Sequence, residues 1–353
     1  MVKNQFGETE FMACKNKKLS IALRIVIAVA IVLLLFYIVF MIPRFWKTEI
    51  VENENATNSH ITEYLDTDVS AHRSGAGIVP ENTMMAIEYV MDNQEKLGVD
   101  TFEFDVQITS DGELIVLHNL TYDKTTNAVE YFGKTDNYAS ELTYEEARAL
   151  NLGENFCDED GNYPYRGLRG NDIPDNLRVV KCEDVIDYIE ANSNGEYKYI
   201  IEIKSLAKDG ERAADRLYEI LSERNLKQRA IWATSETDVA EYMMATYPDM
   251  PRSANMPEVF AFYFCYRLGL DVNILKPSYV ALQIPYGDNL YNNIVNLGTK
   301  DFINYAHKYN FAVQYWTINE SWEAKELIEN NADCIMSDYP QMVYDAVQEA
   351  TNK

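Results

Sequence analysis

The chain has 353 residues, 47% of them apolar, and a formal net charge of -25. That is enough sequence for one large hydrophobic core or two smaller ones, at the apolar content of a folded protein. The acidity argues against an extended nucleic-acid surface, and it means that an anionic substrate must be drawn in by local cations.

In chain order, residues 1–19 read as a short tail. An apolar run follows from Ile25 to Pro43, and Ile21-Ala22-Leu23 extends it back past Arg24. About 20 apolar residues span a bilayer as a helix. No small-residue cleavage site follows, and Arg44-Phe45-Trp46-Lys47 has the composition of an interfacial anchor. The expectation is an uncleaved transmembrane helix over 20–43 rather than a signal peptide. Lys3, Lys15, Lys17, Lys18 and Arg24 precede or open the run, against Arg44 and Lys47 just after it. The positive-inside rule puts the N-terminus in the cytoplasm and the rest of the chain outside the cell membrane. Residues 44–67 read as a polar tether with a reach of roughly 25 Å.

From Val69 onward, strand-like runs alternate with helical patterns. Strands are predicted at 69–72, 99–108, 113–118, 197–204, 229–234, 278–284, 311–318 and 333–337, with a weaker one at 252–256. Helices are predicted at 83–97, 143–150, 181–192, 210–224, 236–246, 299–309 and 321–330. This alternation predicts an α/β parallel sheet. Its length fits a (β/α)8 TIM barrel over 68–345, with a tail at 346–353; a doubly wound open sheet is the alternative. Nine candidates for eight places imply that one late strand is surplus. Residues 127–180 form an enlarged connection, read equally as a lid or as surface loop. Cys157 and Cys182 flank it; they have the option of pairing, although a core of this size does not need the staple. Cys265 and Cys334 read as small core residues.

Charged residues interrupt two of these strands. Alternate residues of a strand share a face, so Glu103 and Asp105 lie together, as do Glu202 and Lys204, opposite the apolar Phe102, Phe104, Ile201 and Ile203. Parallel strands are usually apolar on both faces, so such a cluster needs a reason. Three carboxylates against Arg73 and Lys204 leave a charge imbalance that a divalent cation would correct. All-oxygen ligands favour Mg2+ or Ca2+ over zinc. His72 and His118 close their strands at the end where barrel active sites are built, and two imidazoles can serve as general acid and base near neutral pH. His60, in the tether, and His307, on a helix taken to be at the surface, read as ordinary residues.

Ordered motifs from about residue 69 to 345 carry a resemblance. They run His72-Arg73-Ser74, Pro80-Glu81-Asn82-Thr83, Glu103-Phe104-Asp105-Val106, Thr109-Ser110-Asp111-Gly112, Ile115-Val116-Leu117-His118-Asn119 and Lys124-Thr125-Thr126. Ile173-Pro174 with Cys182-Glu183-Asp184-Val185, then Glu202-Ile203-Lys204, Trp316-Thr317-Ile318-Asn319 and Ser337-Asp338-Tyr339-Pro340 complete the series. Together they resemble the glycerophosphodiester phosphodiesterase family. The resemblance implies a barrel with His72 and His118 as the acid-base pair and Glu103, Asp105 and Glu202 around one divalent ion. It also implies that Arg73 and Lys204 hold the phosphate, and that Trp316 packs either on the glycerol end or in the core. Ser74, Asn119 and Lys124 depart from the family's Gly, Asp and Arg, which bears on rate and substrate more than on reaction type.

The expected activity is metal-dependent hydrolysis of glycerophosphodiesters to glycerol 3-phosphate and an alcohol by a membrane-tethered, extracytoplasmic domain. Its partners would be a small phosphodiester or lipid-derived substrate and, through the N-terminal helix, the membrane. The alternatives are a phospholipase acting on intact lipids, hydrolysis of glycerol-phosphate envelope polymers, and a non-catalytic binding protein.

Overall fold

The computed structural model describes residues 21, 23–38, 47–48, 56–287 and 295–352. Among the described residues eight strands form the sheet: β1 (Asp68–Ala71), β2 (Thr101–Ile108), β3 (Leu114–Val116), β4 (Lys198–Ile203), β5 (Ala230–Ala233), β6 (Ala281–Pro285), β7 (Ala312–Trp316) and β8 (Cys334–Ser337). Their order is β5-β4-β2-β1-β8-β7-β6, with β3 paired to β2 alone. Every pairing on that path is parallel, and only β2–β3 is antiparallel.

The gap between β5 and β6 is bridged by Arg252 and Ser253, which pair in parallel with Trp232 and Ala281. The weak strand predicted at 252–256 is therefore the eighth stave of a nearly closed barrel. The surplus strand is an early one, 113–118, not a late one. Thr109 to Glu113 make a tight turn in which the Glu113 N–H donates to the Thr109 hydroxyl and Gly112 takes φ 90°. A parallel crossover needs about a dozen residues, so this short link forces a hairpin.

Among the described residues of the barrel, ten α-helices of four to seventeen residues wrap it or precede its later strands: α1 (Met84–Asp92), α2 (Gln94–Leu97), α3 (Ala128–Phe132), α4 (Tyr144–Ala147), α5 (Cys182–Ala191), α6 (Ala207–Glu223), α7 (Thr237–Thr246), α8 (Met256–Leu268), α9 (Lys300–Lys308) and α10 (Ser321–Glu329). An eleventh, α11 (Pro340–Thr351), takes up most of the predicted tail. The outward residues of β2 and β4, among them Phe102, Phe104, Tyr199 and Ile201, pack with α1, α5, α6 and α7. A second cluster joins β6, β7 and β8 to α8, α9, α10 and α11. Residues 127–180 are neither a bare loop nor a continuous helix. Ala128, Ala139, Leu142, Leu150 and Leu152 build a small core of their own against Ile115 and Leu117.

The expected tether departs from a free coil in its second half. Asn58 donates to the carbonyls of Val280 and Asn310, and the Thr62 N–H donates to Asp333. His60, Thr62 and Thr67 are buried, so residues 57–67 close the N-terminal end of the barrel. His307 is buried too, with Nε2 donating to Asp333 at 2.8 Å. Cys157 and Cys182 are both free thiols, and Cys265 and Cys334 are buried as expected. Residues 1–20, Cys14 among them, and 39–46 lie outside the described residues. Residues 23–38 are helical with exposed side chains. Among the described residues no helix is long and apolar enough to cross a membrane.

Candidate active site

The β1–α1 loop brings in the first group. β1 ends at Ala71, and His72 and Arg73 follow in a turn that leaves the sheet. Arg73, Ser74 and Asn82 take φ of 48°, 63° and 56°, a region that side chains with a Cβ rarely occupy. Ser74 at such a position explains why the family pattern carries Gly there. The strained loop is held by its own motif. Glu81 receives Arg73 Nη1 at 3.1 Å from each carboxylate oxygen. Asn82 donates to Asp105 at 3.1 Å and accepts the Asp105 N–H at 3.3 Å. Thr83 caps α1 by accepting the Ala86 N–H. The sequence displayed Glu81, Asn82 and Thr83 without showing what each does.

β2 and β4 supply the carboxylates from inside the barrel. Glu103 accepts the Arg73 N–H at 2.6 Å. Lys204 Nζ lies 2.7 Å from Glu202 and 3.3 Å from Asp105, and Arg73 Nε lies 3.8 Å from Asp105. Burial, reinforced by Asp105, pushes Glu103 up to about 8. Burial also raises Glu202. Burial opposes the charges of Lys204 and Arg73, but the carboxylates outweigh it and hold both above their ordinary values.

His118 arrives by a route the sequence did not indicate. It follows the return strand β3, not a barrel stave, and the Leu117 N–H bonded to the Asp105 carbonyl sets it level with the carboxylates. One cavity of about 50 Å³ is lined by His72, Arg73, Glu103, Asp105, His118, Glu202, Lys204 and Trp316, together with Ile200, Gln283 and Met336. All eight residues singled out in the sequence thus meet, and none of the lining comes from 127–180. Trp316 is 40% exposed at this cavity, which removes core packing as its role.

The two histidines have opposite surroundings. Burial lowers His72, but a 2.7 Å hydrogen bond from Nδ1 to Asp338, with Glu103 nearby, more than reverses it, so its affinity for a proton is raised. Asp338 is itself held by Asn319, which donates to its carboxylate at 2.7 Å and accepts its N–H at 3.0 Å. Burial lowers His118, and Arg73 and Lys204 add to it. Its Nδ1 donates to the Asn119 amide oxygen at 3.2 Å. An aspartate at 119 would oppose that depression, and the asparagine carries no charge to do so. Asp338 and Asn319 were visible in the closing motifs but carried no assigned role; their contact with His72 spans 266 residues for Asp338.

Eight oxygen- and nitrogen-bearing side chains of this kind, around a small opening at the C-terminal end of a parallel barrel, suit a phosphate ester flanked by acid and base. Over residues 72–342 the sequence matches the model of the glycerophosphoryl diester phosphodiesterase family. The chain belongs to that family. It is an enzyme, a phosphoric diester hydrolase. A glycerophosphodiester phosphodiesterase of Caldanaerobacter subterraneus is 24% identical over 286 residues, 80% of this chain and 99% of that one. The solved structure of a Silicibacter pomeroyi protein named for the same activity superposes with a TM-score of 0.61 at 17% identity, over 81% and 94% of the two chains. An Oleispira antarctica phosphodiesterase, solved with its product sn-glycerol-3-phosphate, gives 0.57 at 16%, over 80% and 96%. The last two likenesses establish the barrel fold.

The carboxylates agree with a hard cation in chemistry more than in pose. Among the described residues no group of three His, Cys, Asp or Glu side chains is arranged to hold a metal ion. Asp105 and Glu202 turn toward Lys204 instead. The donor set is nonetheless all oxygen, and Glu103, raised first by burial and then by Asp105 beside it, stands next to a second carboxylate as the ligands of a hard divalent ion do.

Proposed function

We propose that the chain is a membrane-tethered, extracytoplasmic enzyme that cleaves glycerophosphodiesters to glycerol 3-phosphate and an alcohol with two histidines of divided labour. The observation that carries this reading is that two imidazoles share one cavity and are shifted in opposite directions. Groups whose surroundings push their proton affinities apart suit one to be acid and the other base.

In this reading His72 holds its proton and gives it to the leaving alkoxide. Asp338, fixed by Asn319, orients the imidazole and favours its charged form. His118 stays neutral and takes the proton of the attacking hydroxyl, either of water or of the neighbouring glycerol carbon. Arg73 and Lys204 receive the phosphate oxygens and supply the local positive charge that a chain of net charge -25 otherwise lacks. Trp316 offers an apolar wall for the glycerol end. Glu103, Asp105 and Glu202 would hold Mg2+ or Ca2+, which supplies further charge neutralisation at the phosphate.

The supporting assay follows release of glycerol 3-phosphate from several glycerophosphodiesters, with EDTA, Mg2+ or Ca2+ added. Release that depends on the metal and vanishes in His72→Ala and His118→Ala supports the reading. Release unaffected by EDTA removes the metal from it, and full activity in either variant removes the histidine pair. A second reading, action on intact lipids, is favoured by a row of exposed apolar side chains on α8. A non-catalytic role loses its basis with the family shown and every proposed acid-base residue present.

A further inference from the structure

Helix α8 carries apolar side chains around most of its circumference, with Glu258 and Arg267 as its charged residues. Its inner face packs Phe262 against Phe302 and Tyr305, with ring centroids 5.6 and 5.2 Å apart. Its outer face repeats Met256, Phe260, Phe264 and Leu268 at intervals of four, the spacing of one helical stripe. Past the helix, Leu270, Ile274 and Leu275 are exposed as well. Phe260 is 54% and Ile274 63% exposed. A helix apolar around most of its circumference is ordinarily covered, and a contiguous exposed patch marks a docking surface.

The chain itself indicates what covers it. Thr48 N donates to Asp301 at 2.6 Å, and Asp301 accepts Tyr266 of α8 at 3.1 Å. The chain is thus fixed beside α8 just after the apolar segment. Nine residues lie between Ile38, in that segment's helical stretch, and Thr48, so the ten steps from one to the other span at most about 35 Å. Wherever the apolar segment enters a bilayer, Thr48 is held within that distance of it, and α8 lies one hydrogen-bonded Asp301 further on. Charge agrees as well. Residues 256–276 carry Glu258 and Asp271 against Arg267 and Lys276, a balanced patch in a chain of net charge -25. It is a stretch that an anionic lipid surface does not repel.

We infer that the outer face of α8 and the following turn through Leu275 rest in the headgroup region of the lipid bilayer, so that the barrel lies on the membrane instead of swinging from it. This rests on the proposed membrane tether. Apolar side chains on such a face sink to the boundary of the acyl chains while the barrel stays in water.

The test uses the full chain reconstituted in phosphatidylcholine–phosphatidylglycerol vesicles that contain a phospholipid with a diazirine on its acyl chain. After irradiation, labelled peptides are mapped by mass spectrometry. Label in both 21–38 and 256–276 is the expected result. Label in 21–38 alone overturns the docking and leaves the tether intact. Label in 256–276 alone upholds the docking and overturns the tether, and label in neither overturns both. The double variant Phe260→Asp/Ile274→Asp should lose about tenfold of the 256–276 label and keep that of 21–38. Its turnover of a soluble diester should not change, since neither residue lines the cavity. Should the variant fold poorly, the wild-type map decides the matter alone.

Discussion

The two ends of the barrel are built from the same kinds of residue and do different things. At the C-terminal end, His72 and His118 face carboxylates and cations around an opening. At the N-terminal end, His60 and His307 lie buried with Asp68, Asp100, Lys198 and Asp333 nearby. There Asp333, Asp100 and Lys198 spend their hydrogen bonds on the fold, while His60 Nε2 is buried without a hydrogen-bond partner among the described residues. Asp333 accepts the N–H groups of Thr62 and Val313 and the ring of His307. Asp100 accepts the Val69 N–H, and Lys198 meets Asp68 at 2.7 Å. Burial of histidine and aspartate is therefore not what marks a site. The mark is capacity left facing a cavity, with proton affinities divided between neighbours.

The sharpest way to break this contrast is to remove single side chains from each end. His72→Ala and His118→Ala should each cut turnover of a glycerophosphodiester by about 10²–10⁴-fold while the melting temperature barely moves. Asp333→Ala should do the reverse. It strands two backbone donors and a buried imidazole, which costs about 3–5 kcal/mol, or roughly 10 °C in melting temperature for a domain of this size. Turnover per folded molecule should stay near wild type. Unchanged stability in Asp333→Ala with lost turnover would erase the distinction between the ends.

How much of this was legible depended on the range of the signal. The barrel staves were legible because an apolar strand is a local pattern, and the carboxylates because they interrupt it. The misplacement of 113–118 was avoidable: the five residues between Ile108 and Leu114 cannot carry a parallel crossover. Arg252 and Ser253 were faint because two bridge residues hardly make a pattern. Helix α8 went unpredicted for a physical reason, since aromatic residues on all sides erase the amphipathic period. The burial of His60 and His307 and the role of Asp338 were out of reach, because each depends on a partner that only folding brings near. His307 meets Asp333 across 26 residues, and His72 meets Asp338 across 266.

His60 offers a smaller test at the N-terminal end. Burial, with Lys198 beside it, pushes His60 down to about 4. A base depressed in the fold contributes its full stability above its unfolded value of about 6.5 and loses it as pH falls toward the folded value. His60→Gln should flatten the loss of stability between about pH 6.5 and 4, a difference on the order of 2 kcal/mol at pH 5. Denaturant melts of the two proteins at pH 7 and pH 5 measure it. An equal loss in both would mean that the neutral ring is not what residues 57–67 hold against the barrel.

The finest distinction lies within the catalytic end, between the two imidazoles. If His118 must be neutral and His72 charged, turnover rises with pH through the lowered value of His118 and falls through the raised value of His72. The profile is then a bell around the ordinary imidazole range near 6.5. Asp338→Asn keeps the size of the side chain but removes the charge that favours the imidazolium and one of the two oxygens to which His72 and Asn319 donate. The sign follows directly. His72 loses its proton earlier, so the alkaline limb should move to lower pH while the acid limb stays. Turnover above neutrality should fall about tenfold, and turnover on the acid side much less. A shift of the acid limb instead would exchange the roles, making His118 the acid and His72 the base, with the two-histidine cavity otherwise intact.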